Sequence, residues 1–325
     1  FWGVSSVVSV LQNAVGIAAA KGFGLNPLMG IIGGSIPMIG GLGTAGAFGA
    51  LFEDEYGVTG ALSAAIACAT FGMVAGSIIG GPVGEWLIKI HKLATPNQIN
   101  PSRFAYRTPN EDTVLEEVGE FAQEDAPAER ADDEGEHKVS GPHLMKNLAW
   151  ILVAAGFGSA VSYYLKKAGI TLPPYLGAMI VAIIVRNIGD KTEWFAVDSK
   201  CIGMIGDITL GLYITMAINS LQLWQLANLA LPLVIMMVAQ IALIVIIAYF
   251  LVFKLFGGNY DSTVMAGGLI GFGLGATPNA LVCMQAITGK YGPSEKAFFV
   301  VPIVGAFLVD ISNATVIALM AGFFR

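Results

Sequence analysis

From Leu226 to Phe253 the chain carries no charged residue. About 18 consecutive apolar residues are enough for a helix to span a bilayer. Inside lipid the backbone must satisfy its own hydrogen bonds, which favours helices over any open arrangement. Composition extends the point to the whole molecule. Over 325 residues the chain is 55% hydrophobic and 12% charged, whereas a soluble domain carries about 25% charged residues. The expected fold class is an all-α polytopic membrane protein.

The remaining spans are read from where charge and glycine interrupt the apolar sequence. Trp2 to Ala20 is a first span, closed by Lys21, and Leu62 to Ile90 is another, loosened by Gly72, Gly76, Gly80, Gly81 and Pro82. Beyond a polar stretch come Leu148–Leu165, Leu172–Ile188, Gly203–Leu221, Leu226–Phe253 and Ala297–Phe323. The polar stretch, residues 93–146, separates two parts, 1–92 and 147–325. It explains the net charge of −6, because 12 of the 23 acidic residues lie between Thr95 and Lys146. Such a segment is too polar to bury a core. Lys89, His91, Lys92, Arg103 and Arg107 flank its start and Lys138 and Lys146 its end, so the positive-inside rule places this linker in the cytoplasm. His91, His137 and His143 lie in or near it and read as solvated. Cys68, Cys201 and Cys283 are scattered among apolar residues and read as buried, inert thiols.

One phrase occurs twice. Gly41-Leu42-Gly43-Thr44-Ala45-Gly46-Ala47 returns as Gly273-Leu274-Gly275-Ala276-Thr277-Pro278-Asn279-Ala280, one residue longer. Each copy runs on to a Tyr-Gly pair, Tyr56-Gly57 and Tyr291-Gly292, and then to another apolar segment. Glycine-rich breaks repeated at membrane depth are the mark of a carrier built from internal repeats. The surrounding segments, Asn26 to Glu55 and Val264 to Thr288, are each expected to form a re-entrant hairpin, the first broken between Pro37 and Gly43. The second part then holds five spans and one hairpin. Five is odd, so two such units in succession lie inverted. The first part contains only the counterpart of the last two spans and their hairpin, so its repeat is incomplete, and the opening spans are expected to precede Phe1.

Irregular backbone inside a membrane must face protein or a water-filled cavity. A helix beginning after each break offers free N–H groups and the positive end of its dipole to an anion. A helix ending before each break offers carbonyls to a cation. Thr44 and Thr277 are expected to act as N-caps, with Pro278 the first helical residue. The substrate-binding set on this reading is Ser35, Gly40, Gly41, Gly43, Thr44, Gly273, Gly275, Ala276, Thr277 and Asn279. For Gly30, Gly33, Gly76 and Gly80, close helix packing is an equal alternative. Asp310 lies mid-span, where a carboxylate costs at least about 2.5–3.5 kcal/mol, and Asn313 follows on the same helical face. The two are expected to hold Na⁺, although a hydrogen-bonded Asp310 locking the hairpin is the alternative. Its counterpart in the first copy aligns near Ser77. Gln12, Asn13 and Gln240 are polar residues within spans whose default role is helix–helix hydrogen bonding. Gln285 lies near a break, Asp207 sits early in its span, and Arg186 reads as a snorkelling end residue. No nucleophile–base pair, metal-ligand spacing or Walker-type loop is present in the sequence, which argues against an enzyme and against an ATP-driven pump.

Several strings resemble the sodium:glutamate symporter family. They are Leu11-Gln12-Asn13-Ala14-Val15-Gly16-Ile17, the run from Gly22 to Gly30, Ala67-Cys68-Ala69-Thr70-Phe71-Gly72, Gly271 to Pro278, Met284-Gln285-Ala286-Ile287-Thr288 and Val301 to Phe307. The resemblance implies uptake of L-glutamate coupled to Na⁺ in a bacterial inner membrane, two inverted five-span repeats, and a homodimer embedded in lipid. It also implies a fold similar to that of citrate:sodium symporters, whose substrate domain moves as an elevator. By this resemblance the segments around Gly40-Gly41-Leu42-Gly43 and Gly273-Leu274-Gly275 are binding loops. Carriers of another carboxylate or amino acid, and a Na⁺/H⁺ exchanger, share most of these features. No nucleic-acid partner is expected. The acidic linker is longer than the resemblance leads one to expect.

Overall fold

The structure, a computed structural model, describes residues 1–99, 141–167, 174–192, 198–219 and 223–324, and all the regular elements among them are helices. Those elements fall into two compact units, Phe1–Arg107 with Ala217–Arg325, and Thr108–Met216.

The first unit opens with α1, Trp2–Gly22. Its buried face carries the polar Ser5, Ser9, Gln12 and Asn13 beside Val8, Gly16, Ile17 and Ala20, while Val7, Val10 and Leu11 are exposed. Apolar side chains on the outer face, with polar ones inside, suit a helix whose outer face meets lipid. Asn26 then caps α2, Pro27–Ile32, its side chain accepting from the Leu28 N–H at 2.9 Å. After Gly33 and Gly34 come the single turn α3, Ser35–Met38, and then α4, Gly41–Tyr56. The long α5, Ala61–His91, carries Pro82 inside it. The short α6, Pro96–Ile99, docks on the body of the unit, where Asn97 Nδ2 donates to Lys290 O at 3.1 Å. The start of the segment assigned to the linker is therefore packed.

In the second unit, α7 (Gly141–Lys167) and α8 (Pro174–Thr192) pack closely through Gly158 and Gly177. They are followed by α9, Ser199–Asn219. Helix α7 begins inside the segment assigned to the linker. The side chain of Asp207 lies outside the described residues.

The first unit resumes with α10, Leu223–Ile247, which runs on as a wider π-turn over Ala248–Phe253. Asn259 and Ser262 cap α11, Tyr260–Leu274, reciprocally, each side chain accepting from the other's backbone. After Gly275 and Ala276 comes α12, Thr277–Tyr291. Helix α13, Glu295–Ile303, passes through a π-turn at Val304–Leu308 into α14, Val309–Gly322.

Among the described residues, four helical stretches are long and apolar enough to cross a membrane: Trp2–Gly22, Ala61–His91, His143–Tyr164 and Leu229–Phe253. Tyr175–Gly189, Cys201–Tyr213 and Val309–Gly322 are shorter apolar helices within segments expected to span. Leu231, Val238 and Ile246 lie exposed along α10, as lipid-facing side chains do. The molecule is a helical membrane protein.

Both copies of the duplicated phrase end alike. Helix α4 stops at Tyr56 with Gly57 at φ 65°, and α12 stops at Tyr291 with Gly292 at φ 107°. Glycine reaches these positive φ values without the Cβ clash that other residues meet. The Tyr260 hydroxyl, from the start of α11, donates to Gly292 O and ties the two ends of the second copy together.

Candidate functional site

The two breaks meet. A Cβ placed on Gly41 would lie 3.0 Å from Gly275 O and 3.3 Å from Ala276 Cβ, so segments from opposite ends of the sequence approach through backbone. At Gly41 φ is +62°, which adds a conformational reason for glycine to the steric one.

The expected break between Pro37 and Gly43 is present at Ile39-Gly40, and an additional interruption precedes it. The first segment is interrupted twice, at Gly33-Gly34 and at Ile39-Gly40, and α4 is already helical at Gly43. Pro37 lies within the single-turn α3 instead of opening the break. Neither threonine is an N-cap. Thr44 lies inside α4 and packs against Gly40, which holds the cap position with no side-chain bond. Ala276, in extended backbone, takes the cap position of α12, so Thr277 is already helical and its side chain lies against Gly305. In both cases the side chain packs on a neighbouring glycine, through the methyl of Thr44 and the hydroxyl of Thr277, and the helix ends are left open.

Those open ends matter chemically. The first turn of α4 has no intrahelical acceptors for its N–H groups, and Gly275 and Ala276 make no backbone N–H bonds among the described residues. Two helix N-termini thus converge where Gly41 meets Ala276, an arrangement suited to carboxylate groups. Above Gly43 a Cβ would meet nothing within 4 Å, so α4 is approachable there. The carbonyls before the second break are occupied instead. Gly273 O accepts from Gln12 Nε2 at 2.7 Å, and Leu274 O lies against Gly72. Asn279 packs directly against Gly275 at the junction, and its Nδ2 donates to Met73 O at 2.8 Å.

Close packing accounts for the other glycines. Gly72, Gly76, Gly80 and Gly84 recur every four residues on α5 and meet Leu274, Gly271, Cys283 and Ile287. Gly30 packs on Gly16 and Gly33 on Met236. This is the small-residue crossing by which membrane helices approach. Cys68, Cys201 and Cys283 are all buried free thiols.

A second polar group lies beneath the first segment. Ser35 N–H donates to Asn13 Oδ1 at 2.8 Å, and Asn313 Nδ2 donates to Ser35 O at 3.2 Å. Gln240 Nε2 donates both to Gln12 O at 2.8 Å and to Gly33 O at 3.1 Å. Ser35, Gln12, Asn13, Gln240 and Asn313 are all fully or almost fully buried. Asp310 is not among them, because its side chain is exposed on α14. Of the two residues expected to share a cation, the structure brings only Asn313 to the broken segment. Ser77 donates to Met73 O on its own helix and is exposed. Gln12, Asn13 and Gln240 do form hydrogen bonds between helices, and each has a partner on one of the two broken segments. An amide inside an apolar span was the sequence signal for them, and it does not distinguish these two uses.

In the other unit His143 Nε2 lies 3.1 Å from Asp198 Oδ2, with Cys201 close by. Asp198 precedes α9 and accepts from the Cys201 N–H at 3.4 Å. The trio is thus explained as a helix cap and an inter-helix tie.

A helical membrane protein whose two glycine-broken segments meet over a buried polar cluster has the build of a membrane carrier. The family model for the sodium/glutamate symporter matches residues 1–293. The chain is 40% identical over 310 residues to the sodium/glutamate symporter of Escherichia coli (strain K12), covering 95% of this chain and 72% of that protein. It is 35% identical over 317 residues to the sodium/glutamate symporter of Haemophilus influenzae, covering 98% and 73%. No solved structure matches the chain. The chain belongs to the sodium/glutamate symporter family.

Proposed function

We propose that this protein is a secondary active transporter that couples inward Na⁺ movement to L-glutamate uptake. Family membership supports the substrate and the ion. The observation that carries the site is the contact between Gly41 and Gly275-Ala276. Glutamate brings two carboxylates, and the junction brings two helix N-termini with Gly40, Gly41, Gly43, Thr44, Gly273, Gly275, Ala276 and Thr277 around them. Backbone N–H groups can bind these anions without a buried basic side chain. Ser35 and Asn279 act one layer back, holding backbone. Na⁺ sits on the side of Asn313, and the exposed Asp310 contributes at most a long-range field.

On this reading the two broken segments are re-entrant hairpins of inverted repeats, and the protein is a homodimer in a bacterial inner membrane with the acidic linker in the cytoplasm. Transport proceeds as an elevator movement of the substrate-bearing part. The experiment is L-glutamate uptake by the full-length protein in proteoliposomes, with and without a Na⁺ gradient, competed by aspartate and by citrate. Na⁺-stimulated uptake competed by neither is expected. Absence of Na⁺ stimulation defeats the proposal, and stronger competition by another carboxylate reassigns the substrate. Na⁺-driven proton movement without glutamate would make the protein an exchanger.

A further inference from the structure

Among the described residues, the buried side-chain nitrogen and oxygen atoms without a hydrogen-bond partner are Gln12 Oε1, Asn13 Nδ2, Ser35 Oγ, Gln240 Oε1 and Asn313 Oδ1. All belong to the one cluster beneath Gly33–Ser35. Buried polar atoms are nearly always paired, so their concentration in a single place calls for a ligand. The amide orientations are set by their other bonds. Gln12, Gln240 and Asn313 each donate through nitrogen to a backbone carbonyl, which leaves oxygen as the free atom. Four of the five orphans are therefore acceptors, drawn from α1, α3, α10 and α14, while Asn13 Nδ2 is a donor.

We infer that this cluster binds a dehydrated monovalent cation of Na⁺ size, with Gln12 Oε1, Ser35 Oγ, Gln240 Oε1 and Asn313 Oδ1 as its side-chain ligands. Hard oxygen ligands suit such an ion, and the absence of any carboxylate from the set favours a single charge over a divalent one. Complete burial of these side chains leaves no path for an amino-acid ammonium with its attached carbons. The inference rests on the symport reading for its choice of Na⁺ and deepens it by assigning the coupling route. Gln12 carries a candidate ligand oxygen at one end of its amide, and the nitrogen of the same amide holds Gly273 O at the second break. Gln240 and Asn313 likewise hold Gly33 and Ser35. Ion occupancy therefore fixes the amides that position both broken segments, and glutamate must in turn strengthen ion binding by the same factor.

The test measures Na⁺ in two ways on the purified full-length protein. Na⁺-dependent thermal protection in detergent reports binding without substrate, and glutamate uptake against Na⁺ concentration reports coupling. Gln240→Leu and Asn313→Ala are expected to raise the Na⁺ requirement in both by about tenfold or more, as removal of metal-site groups does, with uptake recovering as Na⁺ is raised. Ser35→Ala, the smallest change, serves if either larger variant fails to accumulate, and a smaller rise is expected of it. Protection of the wild type that all variants retain at the same Na⁺ concentration overturns the inference and leaves a water-filled cluster, while Na⁺-stimulated uptake by the wild type would keep the symport reading intact. Na⁺ protection of the wild type that the variants lose, without Na⁺-stimulated glutamate uptake, supports the cluster and removes the symport reading.

Discussion

The two glycine-broken segments share a phrase but are held in place by different physics. The second is supported by contact. Nearly every residue of α11 is buried, its start carries a reciprocal cap, and α5 lies against it through glycines spaced four apart. The first is supported by hydrogen bonds from elsewhere. Its short helices cannot satisfy their own backbone, so Asn13, Gln240 and Asn313 reach in from three other helices. One segment is fixed mainly by shape and the other by polar groups, two of which, Gln240 and Asn313, also have unused oxygens. The contrast implies that the second, tied to the cluster through Gln12 at Gly273 O, serves chiefly as a platform, and the first is the part that responds most to an ion.

Substitutions can break or sharpen that contrast. The largest effect is expected on the contact side. Gly72→Leu drives a side chain into the backbone at Leu274, and overpacking of this kind costs about 3 kcal/mol or more. Thermal unfolding of the detergent-solubilised protein should show a large loss, and a wild-type melting temperature would mean that α5 and α11 do not cross so closely. Next comes a pair on one helix. Asn313→Ala should raise the Na⁺ concentration for half-maximal uptake by about tenfold, whereas Asp310→Asn should move it by less than about twofold, because Asp310 is exposed while Asn313 is buried and bonded to Ser35 O. The reverse order would return the cation to Asp310. Smaller is Gly41→Ala, which must hold a left-handed conformation at a cost of about 1–2 kcal/mol and crowd Gly275 O. The half-saturating glutamate concentration should rise while the Na⁺ requirement changes less. Smallest is Gly43→Ala, which enters open space inside a helix and should add about 0.5–1 kcal/mol of stability. A rise in the glutamate requirement is expected there too, and none would remove Gly43 from the substrate set.

Much of this was legible in the residues, because apolar run length and glycine breaks act locally. The helices expected from Trp2 to Ala20, Leu62 to Ile90 and Leu226 to Phe253 appear with nearly those limits, as α1, α5 and α10. The repeated Tyr-Gly pair reappears as two helix stops, each at a glycine of positive φ. The break at Ile39-Gly40 falls within the expected Pro37–Gly43 range, but the additional one at Gly33-Gly34 was not legible. Between Gly30 and Gly46 several glycines could interrupt a helix equally well, and the choice at Gly33-Gly34 coincides with Asn13 taking the Ser35 N–H. Thr44 and Thr277 carried cap chemistry in the sequence, yet each found a glycine to pack on once the segments met. The polar cluster was visible only as separate residues, since Gln12, Gln240 and Asn313 lie far apart in sequence and nothing local joins them.

The Gly41 junction has a consequence for how such a protein can diversify. Where the surfaces that meet are main chain, exchanging one side chain for another alters little of what a bound molecule touches. A new preference would come more readily from adding or deleting a residue at a break, which turns the following helix and re-aims its first amides. The second copy of the phrase is already one residue longer than the first. Descendants with other cargo should therefore differ in loop length at these two places before they differ in composition.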